Sequence, residues 1–211
     1  MGDKTSIEAT PNGPYLVKNL NSLKNMHKNL DSKEFMALCR CGGSKNKPFC
    51  DGTHSKNGFD SKLIKDRSND KRKEYTGKEV TIADNEGVCA HAGFCDGDLP
   101  KVFWKFENNE RIPNPDAATK DDIISTIGKC PSGALSYKLF GKEYNEQDRT
   151  AEIFVSRNGP YVVSGSPELK DNINSSPDSK EHFTLCRCGG SKNKPFCDGT
   201  HYHIKFNDEK N

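Results

Sequence analysis

The stretch LCRCGGSKNKPFCDGTH occupies residues 38–54 and returns, letter for letter, at residues 185–201. Nothing else in the chain constrains its fold as much. Each copy spaces its potential metal ligands as C-x-C, eight residues, C, three residues, H. The candidate ligands are Cys39, Cys41, Cys50 and His54 in the first copy, and Cys186, Cys188, Cys197 and His201 in the second. The duplication is wider than the cassette. Asn12-Gly13-Pro14-Tyr15 matches Asn158-Gly159-Pro160-Tyr161 at an offset of 146, and Asp31-Ser32-Lys33-Glu34 matches Asp178-Ser179-Lys180-Glu181 at an offset of 147. A unit of roughly 45 residues is used twice, which marks a repeated supersecondary structure rather than a copied loop. Two copies are too few for a solenoid, so a pseudo-symmetric pair, a dimer written in one chain, is expected.

Only 32% of the 211 residues are hydrophobic, and mean hydropathy is −0.88. Small units with thin cores depend on staples such as disulfides or metals. Nine cysteines supply them, and an odd number cannot all pair internally. The N-terminal MGDKTSIEATPNGPY lacks the apolar run of a signal peptide, and no stretch reaches the ~20 apolar residues of a membrane span. A soluble, cytoplasmic protein with reduced thiols is expected, where clustered cysteine points to metal more than to disulfide. The near balance of 32 basic and 30 acidic residues gives no general basis for binding nucleic acid or membranes.

Each repeat reads as β-rich. Pro14–Val17 and Pro160–Val163 are short apolar runs entered by Gly-Pro, and Phe35–Leu38 and His182–Leu185 run as second strands into the cassettes. The stretches 18–34 and 164–181 between them read as polar loops. Residues 55–79 carry eight basic and five acidic residues and read as a solvated linker, with a basic partner-docking strip as the alternative. Beyond it, Val80–Ile82 alternates like a strand, and Val102–Phe106 followed by Asn108-Asn109 suggests a strand and hairpin turn. Thr119–Asp122 resembles a capping box, and Ile123, Ile127 and Cys130 fall on one helical face behind it. Pro131 stops that helix, and Ala134–Leu139 can return as a strand.

Three thiolates and an imidazole suit a borderline-soft metal. Gly42, Gly43 and Gly52 permit tight turns around it, Pro48 and Pro195 stiffen the loop, and Asp51 and Asp198 can accept backbone N–H bonds. Spacing alone leaves two occupants open. One is zinc, although its sites usually open with C-x2–4-C. The other is a [2Fe–2S] cluster, one iron on two thiolates and one on a thiolate and a histidine.

The cassettes resemble the CDGSH iron–sulfur (mitoNEET-like) family, whose pattern is C-x-C-x2-[S/T]-x3-P-x-C-D-G-[S/A/T]-H. Cys39, Cys41, Ser44, Pro48, Cys50, Asp51, Gly52, Thr53 and His54 fill it, and Cys186, Cys188, Ser191, Pro195, Cys197, Asp198, Gly199, Thr200 and His201 fill it again. The resemblance implies one [2Fe–2S] cluster per motif on three cysteines and one histidine. It also implies that the two motifs pack about a twofold axis. A histidine ligand would raise the potential, couple it to pH and make the iron easier to release.

The remaining cysteines are Cys89, Cys95 and Cys130, the last followed by Pro131. On the ferredoxin template C-x2-C-x2-C…C-P they fill the first, third and last positions, while Ala92 fills the second. Three thiolates suit [3Fe–4S], and His91, one residue off the second position, could complete [4Fe–4S]. Ordinary buried or free cysteines are the alternative. VCAHAGFC at 88–95 and CPSGAL at 130–135 make Tyr75–Tyr137 similar to the divergent single-cluster ferredoxin domain found beside CDGSH motifs.

The expected fold class is α+β. It comprises a CDGSH unit at 12–54, a linker at 55–74, a ferredoxin-like domain at 75–140 and a second CDGSH unit at 150–206, the two CDGSH units forming a pseudo-twofold pair. Trp104 is expected in the core or packed on the hairpin, and His27, His182 and His203 at the surface. His203 lies near enough to His201 for a supporting role. No dinucleotide fingerprint, P-loop or nucleophile elbow occurs. A three-cluster electron carrier without a substrate of its own is expected; a cluster donor or store, and then a structural zinc protein, are the alternatives. Its partners would be redox proteins or apo iron–sulfur acceptors, with neither nucleic acid nor membrane, and the chain would be a monomer.

Overall fold

The computed structural model describes residues 4–63, 71–108, 110–208 and 210–211. It is mixed α+β, with small sheets and few helices. The first repeat carries β1 (Ser6–Ala9), β2 (Tyr15–Lys18), β3 (Ser22–Lys24) and β4 (Phe35–Leu38). The middle segment carries β5 (Lys73–Thr76), β6 (Thr81–Asp84), α1 (Phe94–Asp98), α2 (Pro100–Phe103), β7 (Phe106–Glu107), β8 (Glu110–Arg111), α3 (Lys120–Ile127), β9 (Leu135–Leu139) and β10 (Lys142–Tyr144). The second repeat carries β11 (Glu152–Val155), β12 (Tyr161–Ser164), β13 (Glu168–Asp171), β14 (Phe183–Leu185) and the short α4 (Thr200–His203).

The two repeats exchange strands. One sheet runs β13-β1-β2-β4 and another β14-β12-β11-β3, so each holds three strands of its own repeat and one from the other. The borrowed strands pair in parallel, Ser6 opposite Glu168 and Glu152 opposite Ser22. Both borrowed strands lie inside stretches expected to be loops. They are short and polar, and the partner that satisfies their backbone sits in the other repeat, where no local pattern can register it. Along β2 and β12, Tyr15, Val17, Tyr161 and Val163 face inward while their neighbours do not, the period-two alternation of a half-buried strand. These side chains meet in one core. Ile7, Leu38, Ile153 and Phe183 join it from both repeats, and Val88 and Ala134 join it from the middle segment.

The middle segment has its own sheet, β10-β9-β6-β5, and its own core of Val80, Ile82, Val102, Phe103, Ile123, Ile127 and Leu135. Strand β5 begins inside the charged stretch read as linker; residues 64–70 of that stretch lie outside the described residues. The capping box forms: the Thr119 hydroxyl accepts from the Asp122 N–H at 3.2 Å and donates to the Asp122 carboxylate at 2.6 Å. Val102–Trp104 is not a strand. Pro100 has no N–H to lose at the first helical position, and the helix it starts buries Val102 and Phe103. The strand begins only at Phe106, and the hairpin closes through Asn108, Asn109 lying outside the described residues. Of the two places expected for Trp104, the structure shows the hairpin: Trp104 is 64% exposed and edge-on to Phe106 of the hairpin arm. His182 is not at the surface: it is 2% exposed, and its ring bonds Ser179 and Glu181.

Candidate metal centres

Both cassettes are built alike. Leu38 and Phe49 form a bridge at the base of the first, as do Leu185 and Phe196 in the second. Ser44 donates to the Phe49 carbonyl and Ser191 to the Phe196 carbonyl, each at 2.7 Å. Asp51 accepts from the Lys45 and Thr53 N–H groups at 2.8 and 3.0 Å, and Asp198 accepts from Lys192 and Thr200 at the same distances. The two carboxylates therefore hold the turn between the third cysteine and the histidine, as their position suggested. Gly52 and Gly199 adopt positive φ angles of 83° and 79°, which few L residues tolerate.

The ligand candidates come together in pairs. Cys39 and Cys41 sulfurs lie 3.9 Å apart, and Cys186 and Cys188 lie 3.7 Å apart. Cys50 lies 3.4 Å from His54 Nδ1, and Cys197 lies 3.4 Å from His201 Nδ1. Two sulfurs bound at ~2.3 Å to one tetrahedral metal stand about 3.7 Å apart, so each pair suits one metal atom. Among the described residues no three such groups converge on a single ion. Each cassette thus offers two such pairs. Nδ1 is the ring nitrogen beside the sulfur in both cassettes, which leaves Nε2 on the far side of the ring.

The donors need a cation. Burial pushes the Cys39 thiol up to about 11 and raises Cys197 well above the ordinary range. A hydrogen bond between their sulfurs lowers Cys186 and raises Cys188, so that pair holds on to a proton. Burial, and then the nearby His91, push His201 down to about 4. Buried thiols of this kind ionise when a metal supplies the opposite charge, which fits them as metal donors.

The two cassettes touch back to back. Cys41 and Cys188 form an isolated antiparallel bridge, and a Cβ on Gly42 would meet the Cys188 carbonyl oxygen at 2.5 Å. A Cβ on Gly189 would meet the Cys41 carbonyl oxygen at 2.6 Å. Tyr15 donates its hydroxyl proton to the Cys186 and Pro195 carbonyls at 2.8 and 2.9 Å, and Tyr161 to those of Cys39 and Pro48, both at 2.9 Å. Each tyrosine thus supports the cassette of the other repeat. Arg40 sits over the rings of Tyr15 and Phe59, and Arg187 over those of Tyr161 and Phe206. None of these residues stood out as functional in the sequence. Phe59 and Phe206 share the 147-residue offset, so carrying the repeat past its histidine would have found them.

Cys89, Cys95 and Cys130 surround one cavity of about 430 Å³, with Ala92 also on its wall. The His91 N–H donates to the Cys89 sulfur at 3.4 Å, and the Cys130 sulfur lies 3.5 Å from the Ser132 hydroxyl. Burial raises Cys89 to about 11 and Cys95 to about 12. Arg111 is buried beside them, held by Asp84 through two bonds of 2.9 Å, and it donates to the Cys95 sulfur at 3.8 Å. Burial opposes its charge, but Asp84, Cys89 and Cys95 raise its pKa above the ordinary value. A buried cation aimed at thiolates suits an anionic cluster. Sequence gave no sign of Arg111, since only the fold of the hairpin brings it to the cysteines.

The His91 ring lies against the second cassette, although it also borders the cavity. A Cβ on Gly199 would meet three of its ring atoms at 2.8–2.9 Å, and the ring packs beside Tyr202, centroids 6.1 Å apart. Asp198 of the second cassette lines the same cavity as the three cysteines. His27 and His203 are exposed, as expected.

Residues 12–55 and 158–202 match the family model described as iron-binding zinc finger CDGSH type, and residues 75–139 match the divergent 4Fe-4S mono-cluster model. The uncharacterized protein YjdI of Escherichia coli K12 is 35% identical over 66 residues, covering 30% of this chain and 82% of YjdI. The mouse CDGSH iron-sulfur domain-containing protein 1 is 30% identical over 87 residues, covering 41% of this chain and 71% of that protein. No solved structure matches. Among the described residues no helix is long and apolar enough to cross a membrane. The chain belongs to the CDGSH iron–sulfur family, an iron–sulfur-binding protein with a divergent 4Fe-4S-type domain set between its two CDGSH segments.

Proposed function

We propose that this protein is an electron carrier, a relay of three clusters within one chain. Cys39, Cys41, Cys50 and His54 would hold one [2Fe–2S] cluster, and Cys186, Cys188, Cys197 and His201 a second. Cys89, Cys95 and Cys130 would hold a [3Fe–4S] cluster, or a [4Fe–4S] cluster if a fourth ligand joins. His91 is poorly placed to be that fourth ligand, since its ring is seated on Gly199 and its backbone rather than its imidazole reaches Cys89. The clusters supply one-electron chemistry at potentials that ligand type and surroundings set. The reciprocal strand exchange and tyrosine contacts support a pseudo-twofold pair.

The observation that carries the reading is contiguity. The middle cavity shares Asp198 with the second cassette, and the second cassette touches the first through the Cys41–Cys188 bridge. Three adjoining sites in a row are what a relay needs. The partners would be redox proteins, with no need for a membrane or nucleic acid, and the chain would act as a cytoplasmic monomer rather than as an enzyme.

A second reading, cluster storage or transfer to apo acceptors, draws support from the half-buried Cys50 and His54, which an acceptor could approach. Structural zinc is the least supported, because each cassette presents its donors as two pairs, each spaced for a metal atom of its own. Electron paramagnetic resonance of the protein, first oxidised and then reduced, tests the relay, because [2Fe–2S] and [4Fe–4S] clusters give their signals when reduced and a [3Fe–4S] cluster when oxidised. Three sets of signals are expected, and Cys130→Ser should remove one set alone. A protein that passes iron to an apo-ferredoxin but never exchanges electrons would overturn the carrier reading in favour of transfer.

A further inference from the structure

Two ligand sets of identical sequence lie in unlike surroundings. In the first cassette a Cβ on Gly52 would meet nothing within 4 Å among the described residues; in the second, Gly199 at nearly the same φ is covered by the His91 ring. The Asn193 side chain donates to the Gly87 carbonyl at 2.7 Å, tying the second cassette to the middle segment. Its counterpart Asn46 is exposed. Cys197 and His201 are buried, at 2% and 6% exposure, while Cys50 and His54 are half-buried. Next to His201, the Tyr202 ring lies tilted against the imidazole at 4.7 Å between centroids, and it also meets His91. At the corresponding place after His54 stands Ser55, which carries no ring.

We propose that the loop carrying His91 is a built-in shield for the second cassette, so that the first cassette alone is open to exchange with external chelators and acceptors. The inference rests on the reading that both cassettes hold iron–sulfur clusters. It assigns the covering role to His91, with Asn193 tying the second cassette to the middle segment and Tyr202 packed beside the His91 ring, and makes the first cassette the port of the molecule. The shield comes from the middle segment, and the contacts named here all fall on the second cassette.

The test follows the rise in absorbance of the ferrous chelate when the fully loaded protein, reduced with dithionite, is mixed anaerobically with bathophenanthroline disulfonate, a ferrous-iron chelator, at fixed neutral pH. Two CDGSH-type phases of equal amplitude are expected, differing by about tenfold in rate, as local opening of a covered site should demand. Replacing His54 with Cys should slow the fast phase alone, and replacing His201 with Cys should change the slow phase alone. His91→Ala should bring the slow phase to the fast rate. Tyr202→Ala, which leaves the cavity loop untouched, should accelerate it in the same direction. A single shared rate, or a fast phase that follows His201, would overturn the proposal. Protein isolated without iron and sulfide would instead overturn the cluster reading on which it rests.

Discussion

The first and second cassettes share every one of seventeen residues, yet one is open and the other covered. Their internal geometry agrees: paired sulfurs, aspartate-held turns and a positive-φ glycine before the helical turn that bears the histidine. What differs comes from outside. The middle segment lays His91 over Gly199 and bonds Asn193, and its Gly133 turn packs on Ser179. Local sequence therefore sets the ligand geometry, while the insert sets access and surroundings. The same holds just upstream, where Phe35 is 52% exposed and its counterpart His182 is 2% exposed in a network with Glu181 and Ser179.

The largest expected contrast lies behind the cassettes. Arg187 is buried and paired with Asp208, and it donates to the Gly159 and Ser156 carbonyls at 2.7 and 2.5 Å. Among the described residues Arg40 has only the Thr10 carbonyl at 3.0 Å for a bond of this kind, and its Nε has no partner there. Asp208→Ala should leave a buried charge uncompensated and lower stability by about 3–5 kcal/mol. Asp60→Ala, beside the first cassette, removes an exposed carboxylate that accepts from the Lys62 N–H at 2.9 Å and pairs with the Lys62 ammonium at 4.0 Å, and should be nearly silent in urea unfolding. Equal losses would break the contrast.

The covering glycine gives the next effect. Gly52→Ala should cost about 1–2 kcal/mol from its positive φ alone. Gly199→Ala carries the same strain plus a clash with the His91 ring, adding about 1–3 kcal/mol. His91→Ala should remove that extra cost, and a thermodynamic cycle on the two positions measures it. Equal losses at both glycines would mean that His91 does not press on the cassette.

The tyrosines should behave alike, because their contacts cross between repeats in both directions. Tyr15→Phe and Tyr161→Phe should each cost about 1–3 kcal/mol by leaving a buried carbonyl short of a donor. A difference well beyond 1 kcal/mol between them would show that the repeats do not support each other equally. The smallest effect is with pH. Burial lowers the pKa of His182, so the folded protein favours its neutral form. The stability tied to that preference is intact above its unfolded value near 6.5 and is lost as pH falls below it. Replacing His182 with Asn should flatten the fall in unfolding midpoint below about pH 6.5, relative to wild type; an unchanged slope would contradict the assignment.

Much of the site was legible in the sequence, because metal ligands sit close together and their spacing is local. The cassette residues, the aspartate turns, the capped helix leading to Cys130 and the three middle cysteines around one cavity all follow from short-range patterns. What escaped is non-local. Strands β3 and β13 pair across repeats and look like loops in isolation. His182 is polar and reads as surface until the insert covers it. Arg111 reaches Cys95 only through the hairpin and Asp84. For Trp104 the sequence left core and hairpin packing both open; the helix that Pro100 starts turns Val102 and Phe103 inward and leaves Trp104 outside, against Phe106 of the hairpin.

The central claim is that paired ligands, rather than single-ion tetrahedra, hold iron–sulfur clusters in both cassettes beside a third in the insert. Iron, acid-labile sulfide and zinc measured on anaerobically purified protein test it most directly. The account predicts about seven or eight irons and about eight sulfides per chain, with little zinc. Colourless protein holding zinc without sulfide would contradict it.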